Sequence, residues 1–128
     1  MTHSPEFRFS INYTDCDNYL HAFVSGEKDS VDVSLAYWET ISTECRKRGY
    51  SAVLIEENFP NQGSALDIYA IASQLPELGT RGLRIAFVDT EPSHNDLNMF
   101  GETVSVNRGF HGRVFVNRED AVAWLTSS

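Results

Sequence analysis

Acidic side chains close two apolar segments of the chain, at points where buried strands are predicted to end. Glu56 and Glu57 end the segment SAVLIEE, and Asp89 ends the segment LRIAFVD. Ligands of open α/β sheets bind beyond the carboxyl ends of the strands, and a site there could raise the pKa of one carboxyl for acid–base chemistry. We therefore expect a binding rim at this edge of the sheet. Its candidate residues are Glu56, Glu57, Asn58, Phe59, Asp89, Thr90 and Arg108.

Ser64 follows the polar loop NFPNQG and precedes an apolar stripe, which is where a helix is predicted to begin. Ser64 and Asp67 have the S-x-x-D spacing of a capping arrangement, which satisfies free backbone amides of the first helical turn. We therefore predict that Ser64 caps this helix. A helix N-terminus that accepts a serine oxygen also favours a phosphate group.

The remaining motifs exclude several kinds of chemistry. The four histidines are scattered, without an HxH or HExxH pattern, and the two cysteines form no CxxC pair. DCDNYLHAFVSGE begins like a calcium loop, but it has Leu20 where the loop needs glycine and Gly26 where it needs glutamate. No G-x-S-x-G, P-loop or G-x-G-x-x-G motif is present. We predict no catalytic residue, no metal and no cofactor, with a small enzyme that uses Glu56 and Asp89 as the alternative.

Charge and hydropathy exclude further classes of protein. The net charge of −8 and the pI near 4.8 argue against nucleic-acid binding, because phosphate backbones repel such a surface. No apolar run approaches the ~20 residues of a membrane span, and the start MTHSPEF lacks the regions of a signal peptide. We expect a cytoplasmic location. A chain of 128 residues suits one domain with one core, residues 1–128.

The periodicity of apolar residues changes along the chain. Residues 7–14 alternate between apolar and polar side chains, and the polar turn DCDN separates them from a second strand, residues 19–25. This pattern predicts an antiparallel hairpin. Asp29, Ser30 and Asp32 offer N-cap oxygens for a helix that follows and that ends at Gly49.

Three later segments, residues 51–57, 83–89 and 113–117, are almost continuously apolar. Strands covered on both faces have this composition, and such strands are usually parallel. Helical patterns in residues 64–78 and 93–108 separate them, and a last helix follows the third. The predicted fold is α/β with the order β-β-α-β-α-β-α-β-α. It has a mixed sheet with an N-terminal antiparallel hairpin and parallel βαβ units.

This order and three local motifs resemble the STAS domain, the SpoIIAA-like fold of bacterial anti-sigma-factor antagonists. The motifs are VSGEKDS (24–30), the strand–loop–Ser–helix segment 53–69, and RVFVNREDAVAWL (113–125). The third motif is similar to a sparsely characterised bacterial branch of the fold, related to STAS and Sec14-like domains. The resemblance implies a non-enzymatic regulatory module that binds a protein partner or a small apolar ligand, and it allows a homodimer.

The resemblance also assigns a role to Ser64. In the family, a partner kinase phosphorylates a serine or threonine at the start of the helix that follows the third strand, and Ser64 is the matching residue. The family's usual Asp-Ser pair is absent here, because Gly63 precedes the serine. Ser64 is therefore the phosphoacceptor candidate that the resemblance implies.

The shape of the rim distinguishes the two functional hypotheses. An apolar groove lined by Phe59, Tyr69 and Phe100 favours a binding module. Convergence of Glu56, Asp89 and a histidine around a concave pocket favours the enzyme.

Overall fold

Six strands form one mixed sheet in the order β1 to β6 in the computed structural model, which describes residues 2–3 and 9–127. The first two pairs of strands are antiparallel and the other three are parallel. The strands are β1 (Thr2–His3), β2 (Phe9–Cys16), β3 (Tyr19–Gly26), β4 (Ala52–Asn58), β5 (Arg84–Asp89) and β6 (Gly112–Phe115). The predicted fold class is confirmed, and β1 is an additional strand.

Four α-helices connect or follow the strands of the sheet. They are α1 (Val31–Arg48), α2 (Ala65–Ala72), α3 (Asn95–Val106) and α4 (Arg118–Leu125). Single 3-10 turns lie at Leu75–Glu77 and Pro92–His94. No helix within the described ranges is both long enough and apolar enough to cross a lipid bilayer.

The hairpin of β2 and β3 turns through Asp17 and Asn18 alone, which is shorter than the predicted turn DCDN. The ladder continues to the pair Cys16 and Tyr19. Asn18 has a φ of 72°, and asparagine tolerates this left-handed conformation better than most residues. Two residues are therefore enough to reverse the chain. Residues 7 and 8 of the predicted strand lie outside the described residues.

Helix α1 has the ends that its sequence predicts. Oγ of Ser30 accepts a hydrogen bond from the amide of Val33 at 3.2 Å, which makes Ser30 the N-cap. Gly49 ends the helix with a φ of 80°, a conformation that glycine adopts without steric cost. The long, firmly capped α1 fixes the position of the side chains that its first two turns direct toward the sheet.

Helix α2 is shorter than predicted, because the segment 64–78 divides into two parts. The α-helix ends at Ala72, and a 3-10 turn spans Leu75–Glu77. Pro76 explains the break, since it has no amide hydrogen and its ring collides with the carbonyl of the residue four positions earlier, which is Ala72. The element that follows β4 is therefore a helix of eight residues.

The two faces of the sheet carry separate apolar clusters. Helices α1, α2 and α3 lie on one face, above a large core that includes Ile11, Val53, Ile55, Ile85 and Trp38. Helix α4 covers part of the other face, above a smaller cluster. Its members are Ala52, Leu54, Ala86, Val88, Ala121 and Leu125. Because successive residues of a strand face opposite sides, the continuously apolar segments contribute to both clusters.

The two tryptophans differ in burial, and this difference predicts different effects on stability. Trp38 is 6% exposed and stacks on Phe87 with ring centroids 6.0 Å apart, whereas Trp124 is only half-buried. We expect Trp38→Ala to lower the free energy of unfolding by about 3–5 kcal/mol and Trp124→Ala by less. Urea unfolding measures both variants. A loss under about 1 kcal/mol for Trp38→Ala would contradict the assigned core.

Candidate ligand-binding site

The register of β4 and β5 determines which acids meet. Glu57 pairs with Asp89, and Glu56 pairs with Val88. Glu57 and Asp89 therefore project from the face that carries α1, α2 and α3, together with the core residues Val53, Ile55 and Ile85. Glu56 projects from the opposite face, toward α4. The predicted acidic rim is thus divided between two sides of the sheet.

Glu56 is neutralised by ion pairs on the α4 face. Its Oε1 lies 2.9 Å from a guanidinium nitrogen of Arg118 and 3.0 Å from Nε2 of His21. Arg118 opens α4, so these contacts attach the first turn of that helix to β4. The Glu56 side chain is 10% exposed, and its role in the structure is to hold α4 on the sheet.

Glu57 belongs to a buried polar cluster on the other face. The hydroxyl of Tyr37 in α1 donates a hydrogen bond to Oε2 of Glu57. Oδ2 of the neighbouring Asp89 accepts a hydrogen bond from Nδ2 of Asn98 at 3.0 Å and lies 3.0 Å from Nδ1 of His94. These side chains come from α1, β4, β5, α3 and the turn before α3, so the cluster exists only in the folded chain.

Burial determines the charge of this cluster. Loss of solvent raises the pKa of Glu57 well above its usual value, and the nearby carboxylates of Asp29 and Asp89 raise it further. Burial likewise raises the pKa of Asp29 to about 6, against the opposing effect of hydrogen bonds from Ser34 and Ser30. Burial therefore favours the protonated form of Glu57, and its carboxyl group forms a side-chain hydrogen bond with Asp89.

A cavity of about 80 Å³ lies between the sheet and the layer of α1, α2 and α3. This is larger than the space for a single buried water. Its polar end carries Asp29, Ser34, Tyr37, Glu57, Gln62 and Asn98, and its apolar wall carries Trp38, Ile68, Ile71, Leu75, Phe87 and Phe110. An apolar cavity with a few convergent polar groups is the usual form of a small-molecule site.

Two glycines allow the walls of this cavity to form. A Cβ on Gly112 would overlap the ring of Phe110, so only glycine lets that ring pack against β6. A Cβ on Gly101 would lie 3.1 Å from Cγ2 of Ile68, which is closer than ordinary van der Waals contact. The glycine therefore permits the close approach of α3 to α2 above the cavity.

A second cavity, of about 420 Å³, lies at the carboxyl ends of β4, β5 and β6. Glu56 and Asp89 both line it, so the strand ends do surround a concave space. Their carboxylates are nevertheless engaged in separate contacts on opposite faces, Glu56 with Arg118 and Asp89 with Asn98. The cavity is lined by charged residues, including Glu91 and Arg118, as well as by amide and apolar side chains, and the carboxylates of Glu56 and Asp89 have separate hydrogen-bond partners within it.

Among the described residues, one trio has the atom types and spacing that a metal ion needs. Ligand atoms of Glu57, Asp89 and His94 lie within 4.8 Å of one another. In this structure the same residues are engaged in the hydrogen bonds of the buried cluster, and the raised pKa of Glu57 favours its neutral form. The spacing of these residues in the sequence gave no sign of the trio.

The other predicted rim residues lie in different environments. Asn58 and Thr90 are exposed at the strand ends, where Oγ1 of Thr90 donates a hydrogen bond to Oδ1 of Asn58 at 2.9 Å. Phe59 is 1% exposed and stacks on Tyr37, so it belongs to the core. Arg108 follows the far end of α3 and donates a hydrogen bond to the hydroxyl of Tyr69 at 2.8 Å. The structure brings neither Phe59 nor Arg108 to the rim.

Ser64 lies at the exposed N-terminus of α2. Its Oγ accepts a hydrogen bond from the Asp67 amide at 3.2 Å, and Oδ2 of Asp67 accepts one from the Ser64 amide at 3.1 Å. This reciprocal pair is a capping box, as the S-x-x-D spacing predicts. Phosphorylation of Ser64 stays a prediction.

The apolar groove of Phe59, Tyr69 and Phe100 that would favour a binding module does not form. Tyr69 and Phe100 are 42% and 40% exposed on the outer surface of α2 and α3, and Phe59 is in the core. The inner surface of the same helices lines the cavity instead. Sequence analysis also missed Asp29, Tyr37, His94 and Asn98 as site residues. Two features of the sequence could have indicated part of this site. Ser30, next to Asp29, is a helix-capping residue, and Tyr37 is a polar-tipped side chain within the apolar face of α1.

The arrangement of strands and helices is the SpoIIAA-like α/β fold. Among solved structures, the chain is similar to an anti-sigma factor antagonist from Mycobacterium paratuberculosis. The two share 18% sequence identity with a TM-score of 0.60, over 98% of this chain and 100% of that chain. No family model and no curated protein sequence matches this chain. At this level of identity the likeness establishes the fold, and function has to be argued from the site.

The protonated state of Glu57 predicts a pH-dependent effect of its replacement. Glu57→Gln keeps groups that can accept from Tyr37 and donate to Asp89, but it cannot ionise. The raised pKa of Glu57 in the folded protein means that its contribution to stability is lost as pH rises above the pKa of the unfolded chain. We therefore expect the stability of Glu57→Gln relative to the wild type to increase as pH rises from 5 to 8.

The control for this prediction is Glu57→Leu, which has similar volume and no polar atoms. It leaves the buried hydroxyl of Tyr37 without its acceptor, so we expect a loss of about 1–3 kcal/mol. Urea unfolding at both pH values measures all three proteins. A stability difference between Glu57→Gln and the wild type that does not change with pH would contradict a protonated Glu57.

Proposed function

We propose that this protein is a non-enzymatic binding module that holds a small, mainly apolar ligand in the cavity between the sheet and α2 and α3. A single observation carries this proposal. The cavity has apolar walls and one polar end, at which Asp29, Ser34, Tyr37 and Glu57 converge. Burial of apolar surface supplies affinity in such a site, and a few fixed polar groups orient the ligand.

The states of Glu57 and Asp89 favour binding over acid–base catalysis by these two residues. Asp89 is held by Asn98 and His94, and Glu57 by Tyr37. A general base needs an accessible carboxylate with a pKa near the working pH. Glu57 is only 4% exposed, and its pKa lies well above its usual value. A fixed, neutral hydrogen-bonding group suits ligand recognition.

A substitution that fills the cavity tests the proposal. Ile68 lines the cavity from α2, whereas Leu66 on the same helix is 78% exposed. We expect Ile68→Trp to abolish retention of a small ligand, because the larger ring occupies the apolar space. Leu66→Trp is the matched control and should retain the ligand.

Native mass spectrometry of freshly purified protein provides the measurement for both variants and for the wild type. It reports a retained small molecule and the number of chains in the same spectrum, so it also tests the predicted homodimer. Melting temperatures show whether each variant is folded. Equal ligand retention by folded Ile68→Trp and by wild type would refute binding in this cavity.

A protein partner is the second candidate, and the outer surface of α2 and α3 favours it. Five large apolar side chains are exposed there. They are Leu66, Tyr69, Met99, Phe100 and Val106. Exposed apolar patches on otherwise polar domains often mark interaction surfaces, and Ser64 lies at the end of the same helix as Leu66 and Tyr69. The structural similarity to an anti-sigma factor antagonist supports the proposal that this surface binds a regulatory protein.

Replacements of Ser64 separate a simple cap from a switch. Ser64→Ala removes the capping oxygen and should lower the free energy of unfolding by about 1 kcal/mol. Ser64→Asp keeps a capping oxygen and places a negative charge at the favourable end of the helix, so its stability should be close to that of wild type. If Ser64 is a regulatory phosphoacceptor, pull-downs from lysate should recover different partners with Ser64→Asp than with Ser64→Ala. Identical partners for all three proteins would leave Ser64 as a cap alone.

A further inference from the structure

The titratable groups around the cavity are mostly acidic. Asp29, Glu57 and Glu102 line it, and Arg113 is the one basic residue among the described residues that do so. Arg113 pairs with Ala86 and its guanidinium lies over the ring of Phe115, 5.3 Å from the centroid. Ala86 and Phe115 belong to the cluster under α4. Arg113 therefore contributes its backbone to the cavity, while its positive charge lies on the opposite face of the sheet.

Glu102 and Asp29 are held differently. Oε1 of Glu102 accepts a hydrogen bond from the amide of Val114 at 2.6 Å, which fixes that carboxylate against β6. At the polar end, Oδ1 of Asp29 accepts two hydrogen bonds, from the Ser30 amide at 2.8 Å and from Oγ of Ser34 at 2.7 Å. Both bonds go to the same oxygen, so the carboxyl group is oriented while Oδ2 stays available to a ligand.

We infer that the cavity accepts a small amphiphile with a protonated amine, whose ammonium group binds Oδ2 of Asp29 and whose short apolar body packs against Ile71, Phe87 and Phe110. This inference rests on the proposed function and specifies its ligand class. An ammonium group supplies the positive charge that the polar end lacks. It also donates hydrogen bonds to the ionised carboxylate of Asp29, which can only accept them.

The same geometry disfavours anionic amphiphiles such as carboxylates. An anionic head group would lie beside the Asp29 carboxylate with no lysine or arginine side chain directed at it from residues 9–127. Like charges in a partly desolvated site repel strongly. A neutral alcohol avoids this repulsion but cannot neutralise Asp29. The expected order of affinity is therefore amine, then alcohol, then carboxylate.

The titration of Asp29 adds a pH signature to amine binding. Its pKa of about 6 lies well above the usual value because of burial, and the groups that face it are Ser34 and Tyr37 from α1, Glu57 from β4, and Asp89 and His94 from β5 and the turn after it. A bound ammonium favours the ionised carboxylate. Amine affinity should therefore increase as pH rises from 5 to 7.5, and binding below pH 6 should release a proton.

Three probes with the same ring and different head groups test the inference: benzylamine, benzyl alcohol and benzoate. Binding to the wild-type protein is measured by NMR titration and by calorimetry, at pH 5 and pH 7.5. We expect benzylamine to bind at least ten-fold more tightly than benzoate at pH 7.5 and several-fold more weakly at pH 5 than at pH 7.5. Ile68→Trp should abolish the shift changes of every probe that enters the cavity.

Asp29→Asn is the decisive variant, because its amide oxygen can still accept the bonds from Ser30 and Ser34 while its charge is removed. It should lose at least ten-fold in benzylamine affinity, lose the pH dependence, and keep the affinity of wild type for benzyl alcohol. The unchanged alcohol affinity shows that the cavity is intact. If the three probes bind equally, or if Asp29→Asn keeps the benzylamine affinity, the amine inference is overturned while the cavity remains a binding site. If no probe binds, the proposed ligand-binding function itself is refuted.

Discussion

The parallel register between β4 and β5 is the constraint on which the site depends. Val53 and Ile55 precede Glu57 on one face, as Ile85 and Phe87 precede Asp89. A slip of one residue would turn each set to the other face. Burial of each such apolar side chain stabilises the fold by roughly 1.5–3 kcal/mol, so the apolar rows determine the register. The two carboxyl groups at the ends of the rows then meet as a consequence.

The adjacent glutamates of β4 illustrate two ways of burying an acid. Glu56 forms an ion pair with Arg118 on the α4 face and lies 3.0 Å from Nε2 of His21. Glu57 has no lysine or arginine side chain in contact with it among the described residues. Burial raises its pKa, which favours the protonated form, and it accepts a hydrogen bond from Tyr37. A charged, unpaired carboxylate at that depth would be far more costly. One side of the sheet therefore carries a structural ion pair, and the other carries a neutral group suited to recognition.

Much of the architecture could be predicted from the sequence, because the spacing of apolar residues indicates which faces of a strand or helix are buried. The alternation in β2 and the continuous apolar runs of β4 and β5 gave the hairpin and the parallel strands. The same continuous runs explain why the faces of Glu56 and Glu57 could not be assigned. A strand that is apolar on both sides contains no alternation that distinguishes them.

The site itself was less predictable, because its residues meet through packing of distant elements. Tyr37, Glu57 and Asn98 come from α1, β4 and α3, and nothing in their spacing along the chain relates them. Arg108 was misplaced for a geometric reason. Helix α3 begins near the carboxyl ends of the strands and contains 12 residues, which carry the chain about 18 Å toward the opposite end of the sheet.

The brevity of α2 has a consequence for the rate at which a molecule could enter the interior. An isolated helix needs about 12–15 residues to be even marginally stable in water, and α2 has eight because Pro76 follows it so closely. Its inner surface rests partly on empty space, which supplies fewer packing contacts than a filled core does. We therefore expect local opening of α2 to require less free energy than separation of the central strands β3, β4 and β5. A small molecule can then enter and leave the cavity without unfolding of the whole domain, so rapid exchange of a ligand is compatible with a stable sheet.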